Sequence, residues 1–185
     1  MAETQRHKVF VSFHHEDQYY KDFFCDHMFG DIVDKSVEDG DIDLNIKTET
    51  TRQKIRDEFI ADATVTVVLV GRCTWQRKHV DWEIGSSLRD TTRNSRCGLL
   101  GILLPDHADF GRPQYSGRLV PPRLADNSGF NGAFAQIYDW PKPWDSTKVR
   151  RWIHQAFLRR EQYPDNSRSQ FGYNRSGPCS SGWSD

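Results

Sequence analysis

Apolar positions recur along this chain with two different periods, and the switches between them mark the elements. Residues 8–13 (KVFVSF) form a short β-prone run after a charged leader and predict the first strand. It ends in His14-His15-Glu16-Asp17, after which Tyr20, Phe23, Phe24, His27 and Met28 recur at helical spacing. Residues 30–49 lose any clear period and are strongly acidic. They predict a solvated loop around a short strand near 42–46. Thr50 and Gln53 have the spacing of a capping box and predict a second helix with Ile55, Phe59 and Ile60 on its apolar face.

Residues 64–70 (TVTVVLV) are β-branched and apolar with little alternation, as an inner parallel strand covered on both faces requires. Gly71 breaks that run, and a helix follows over 77–89 with Val80, Ile84, Ser87 and Leu88 as its inward stripe. At about 100° per residue, Glu83 falls on the border of that stripe. Residues 97–104 (CGLLGILL) predict another buried strand, stopped by Pro105. The 105–132 stretch is irregular, rich in Gly and Pro, and of the length expected for a functional or variable insertion. An edge strand over 134–140 and a last helix over 147–160, capped by Asp145 or Ser146, complete the pattern.

Strands alternating with helices imply an α/β fold: a doubly wound parallel sheet of four to five strands. One domain over 1–163 is expected, followed by a polar tail, 164–185, whose Ser, Asn, Gly and Arg content is that of a disordered segment. Open sheets of this kind bind ligands at the carboxyl ends of their strands. His14 and His15 lie at such an end and read either as a solvated, helix-capping turn or as part of a ligand site.

Composition removes several classes of function. Twenty-five Lys and Arg against twenty-six Asp and Glu leave a net charge of −1, so no global basic field draws nucleic acid or an anionic membrane. No apolar run approaches the roughly 20 residues of a membrane span, and MAETQRHK lacks the apolar core of a secretory signal. Cys25, Cys73, Cys97 and Cys179 are widely spaced without a C-x-x-C pair, which argues against zinc and against disulfides and makes a cytoplasmic location the expectation. The 39–43 run (DGDID) lacks the ligand spacing and closing Glu of a calcium loop, so no metal is expected. Dinucleotide-binding, P-loop and nucleophile-elbow glycine motifs are absent. The inner strand ends in Val70-Gly71-Arg72, without the Asp that a phosphoacceptor receiver would place there. Glu83 remains as the well-placed carboxylate, read by position alone as a surface acid or a catalytic group.

Two motifs in order, KVFVSFHHED and TVTVVLVG-x-x-T-W-x-R-K-x-V-D-W-E-I, resemble the bacterial TIR-like family, closest to its Thoeris antiphage (ThsB-type) branch. The likeness covers about 8–105 well, the last helix loosely, and neither the 105–132 loop nor the tail. It implies a flavodoxin-like fold and an enzyme that cleaves the nicotinamide–ribose bond of NAD+, with NAD+ as substrate and no cofactor. It further implies a cyclic ADP-ribose type or conjugated nucleotide signal that reaches a partner effector, and a site that a second subunit often completes. The essential glutamate falls on Glu83, and the pocket loop on Phe13, His14 and His15. The family's frequent Trp one turn before the Glu is His79 here, with Trp82 adjoining the Glu. A non-catalytic TIR interaction module is the alternative that the resemblance leaves open.

Overall fold

The computed structural model describes residues 5–28, 30–31, 50, 53–129 and 134–184. Four strands, β1 (Val9–Ser12), β2 (Val65–Val70), β3 (Gly98–Leu103) and β4 (Ala135–Asp139), form one all-parallel sheet in the order β1-β2-β3-β4. Ser12 is level with Val68 on β2, and Leu103 with Asp139 on β4. Every residue of β1, β2 and β3 is buried, which accounts for their near-continuous apolar sequence. The short strand expected near 42–46 and the 39–43 acidic run lie outside the described residues.

Helices cover both faces, because successive side chains along a strand point to opposite sides. Val9 and Val11, Val65, Val67 and Leu69, and Leu100 and Ile102 face α1 (Gln18–His27) and the last helix, Ser146–Arg159. Val68 and Val70 with Leu99 and Leu103 face α2 (Lys78–Ser87) and the short α3 (Pro122–Asp126). The last helix, α4, is capped by Asp145, whose side chain accepts from the Lys148 amide. This is a doubly wound, flavodoxin-like α/β arrangement, as the resemblance implies.

One expectation is refined in the structure and two change. The expected second helix is present, and its last turn, Ile55–Phe59, is π-helical, closed by Ile60 N–H to Ile55 carbonyl at 3.0 Å. Its Arg56 is fully buried and donates to the carbonyls of Ile60 and Ser95. The tail does not behave as its polar composition suggests. Backbone and side-chain hydrogen bonds fasten residues 165–183 along α2, α3 and the turn before α2. A disulfide joins Cys73 to Cys179, Cα atoms 5.0 Å apart and 106 residues distant in sequence, where spacing alone argued against any bridge. Sequence spacing carries no information about which distant loops a fold brings together.

Candidate active site

Ser12 and Glu83 meet where the carboxyl end of β1 faces α2. Ser12 shares its strand face with Phe10, so its hydroxyl points at α2 and donates to Glu83 Oε2 at 2.5 Å. That is the length of a hydroxyl hydrogen bond to a carboxylate. Glu83 is only 2% exposed, deeper than the border position that periodicity gives it. Its carboxylate is turned inward to Ser12 of β1, and all of Val80 to Ser87 is buried, with Phe171 and Asn166 bonded to the opposite flank of α2.

One turn earlier on α2, His79 Nε2 donates to the Phe13 carbonyl at 3.0 Å, since a carbonyl can only accept. This bond ties the loop after β1 to the helix that carries Glu83. The Phe13 ring itself packs against the cluster under α1, so Phe13 brings its backbone to the site.

His14 is 1% exposed, and its Nδ1 accepts from the Glu16 amide at 3.3 Å, capping the short turn His15–Asp17. The neutral ring therefore carries its proton on Nε2. Burial, with the positive field of Arg77, His15 and His79, lowers its pKa to about 3. His14, His15 and Glu16 are close enough to hold a metal ion, but a protonated Nε2 is a donor and not a ligand. Among the described residues, that Nε2–H and the buried Nε–H of Arg77 find no hydrogen-bond acceptor. The exposed Glu16 carboxylate stands 3.6 Å from Nε2, beyond hydrogen-bond length. The two N–H donors are both buried, and the charge of Arg77 acts on His14, a combination suited to an anion.

The structure thus brings Phe13, His14, His79 and Glu83 together. His15 is exposed and stands edge-on to His14, ring centres 4.2 Å apart. Trp82 points elsewhere. Its ring packs with Phe10, Ile55 and Ile60, and its indole N–H donates to the Phe171 carbonyl at 2.7 Å.

Sequence reasoning missed three contributors. Ser12 had a signal, being the polar residue that closes an apolar strand. Asp17 lies buried at the neighbouring strand end, close against Gly71, with Thr74 Oγ1 donating to it at 3.4 Å. Burial and the nearby Asp106 raise its pKa to about 7, so it holds a proton in the folded chain below neutrality. Arg123, wholly buried, pairs with Asp81 of α2 at 3.0 Å and also donates to Asn166 at 2.7 Å. No local pattern marks that arginine as internal.

Residues 10–109 match the family described as Thoeris protein ThsB, TIR-like domain. That span is more than half of the chain and includes Ser12, His14, His79 and Glu83. The chain belongs to the ThsB TIR-like family.

Proposed function

We propose that this ThsB-family TIR-like domain cleaves NAD+ and converts the ADP-ribose into a cyclic or conjugated nucleotide signal for an effector in antiphage defence. One observation carries the reading: a buried carboxylate, Glu83, held in a fixed orientation by Ser12 at the carboxyl end of a parallel strand. The bond to be broken joins ribose C1′ to the nicotinamide nitrogen. Its electron pair leaves with nicotinamide, which departs neutral, so no strong general acid is required. Positive charge then develops on the ribose, as in glycoside hydrolysis. A carboxylate fixed before the reaction stabilises that charge without reorganising. Glu83 is suited to this and to orienting the ribose hydroxyls, and Ser12 restricts its rotamer.

The two donors of His14 and Arg77 that lack acceptors fit the substrate's diphosphate. His79 keeps the loop against α2 so that these groups converge. For cyclisation, a nucleophile on the ADP-ribose itself attacks C1′ and gives up its proton, and the pocket must keep water out.

A second reading, a non-catalytic TIR interaction module, is favoured by one observation: Trp82, the aromatic beside Glu83, is packed with Phe10, Ile55 and Ile60 and bonded to the tail, and so does not face a substrate. Incubating the protein with NAD+, with and without phage-infected lysate, and following nicotinamide and ADP-ribose products by mass spectrometry separates the two. Turnover by wild type and its loss in Glu83→Gln support the enzyme. Intact NAD+ with both proteins under activating conditions supports the module. Linear ADP-ribose as the sole product argues for depletion and against signalling.

A further inference from the structure

The tail makes its contacts in an ordered run along α2, the helix of Glu83. Asn166 donates to the Gly85 carbonyl at 2.9 Å, the Phe171 amide donates to Asp81 at 3.0 Å, and Trp82 donates to the Phe171 carbonyl. Arg123 fastens the same segment from below through Asn166 and the Ser169 carbonyl. Further on, Asn174 Oδ1 accepts from the Lys78 amide at 2.9 Å. Lys78 is the first residue of α2, and the residue at its N-cap, Arg77, makes no side-chain cap of its own. The helix cap is thus supplied by a residue 96 positions away. The Arg175 amide and the Gln76 side chain then pair the tail with the turn before α2, at 2.8 and 2.9 Å. The run ends in the Cys73–Cys179 bridge, both of whose cysteines are partly exposed.

We propose that residues 164–184 are a clamp that positions the Glu83 helix, and that the Cys73–Cys179 disulfide makes the clamp responsive to thiol reductants. Ordering of the first turn of α2 sets His79, and through it the Phe13 loop, so the clamp acts on site geometry and not on the reacting atoms. An external dithiol opens the bridge by ordinary exchange. One of its thiolates attacks a Cys sulfur to give a mixed disulfide. Its second thiolate displaces the remaining Cys, leaving two protein thiols and an oxidised, cyclic reagent. The proposal rests on the NAD+ reading only for its effect on turnover. The clamp itself is measured independently.

The test uses the full chain, oxidised and after dithiothreitol. Peptide mapping is expected to find Cys73 linked to Cys179 in the oxidised protein. Reduction is expected to raise amide hydrogen exchange over 78–84 and 164–184 about fivefold or more, the equilibrium weight of a lost helix cap. NAD+ kcat falls by a similar factor with little change in KM. Asn174→Ala, with the bridge intact, reproduces the change in exchange over 78–82, and Asn174→Asp, which keeps an acceptor, restores protection. Cys179→Ser behaves as the reduced protein and ignores dithiothreitol. Unlinked cysteines in the oxidised protein, or equal exchange over 78–84 in the two redox states, would overturn the clamp. If neither form cleaves NAD+, the proposed activity fails while the exchange data still decide the clamp.

Discussion

Ser12 Oγ donates to Glu83 Oε2 across 71 residues of sequence, joining the last residue of the first strand to the middle of the site helix. The bond fixes the carboxylate before any substrate arrives. Removing it in Ser12→Ala frees the Glu83 rotamer and leaves the carboxylate short of one donor. A hydrogen bond to a charged group contributes about 1.5–3 kcal/mol. Ser12→Ala is therefore expected to lower NAD+ kcat by roughly 10- to 100-fold, with Glu83→Gln at or below detection. Steady-state kinetics with nicotinamide release as the signal checks both, and an unchanged kcat in Ser12→Ala would remove Ser12 from the site.

His79 occupies the position where related TIR enzymes often place a substrate-facing Trp, and here it donates to the Phe13 carbonyl. His79→Ala leaves that loop unfastened. The expected outcome is a raised KM for NAD+ and greater exchange at the amides of 13–16, with stability nearly unchanged. His79→Gln, which retains a donor, is expected to recover part of the loss. A His79→Ala protein with unaltered KM and loop exchange would assign the bond no role in the site.

The alternation of strands and helices, the inner strands and both edges of the last helix were readable because each rests on local periodicity. Glu83 was readable because strand, glycine break and helix put it at a strand end. Its depth was not, since the carboxylate turns inward to Ser12, a partner 71 residues away that no local period reveals. Ser12, Asp17 and Arg123 share that difficulty: each gains its meaning from a partner 42 to 71 residues away. The Cys73–Cys179 pair is the extreme case.

Arg123 and Asp81 form an ion pair without solvent, and Arg123 also bonds the tail. Breaking a buried pair by removing one member costs about 3–5 kcal/mol, because the other charge is left uncompensated. Arg123→Met is expected to lower stability by that amount and to loosen 165–171. Replacing both residues, Asp81→Leu with Arg123→Met, removes the stranded charge and recovers much of the loss. Urea unfolding of the two singles and the double forms the cycle that checks it. Additive effects of the two single changes would show that the pair does not couple.

Two buried groups at the strand ends give the fold opposing responses to pH. His14 has a folded pKa of about 3, below its ordinary 6.5. Between those values the unfolded chain binds the extra proton, so stability from His14 is present above pH 6.5 and is lost as pH falls toward 3. Asp17 has a folded pKa of about 7, above its ordinary 3.8. There the folded chain binds the extra proton, so stability from Asp17 is present below pH 3.8 and is lost as pH rises through 7. Asp17→Asn removes the second response alone, since an amide keeps the neutral form that burial demands. Its melting temperature relative to wild type is expected to rise steadily from pH 5 to pH 8. His14→Asn removes the first, and its margin over wild type is expected to grow as pH falls from 6.5 to 4. Thermal melts of the three proteins across pH 4–8 check both signs. A parallel pH profile for Asp17→Asn and wild type would mean that Asp17 ionises freely in the fold, and its place against Gly71 would then carry no proton.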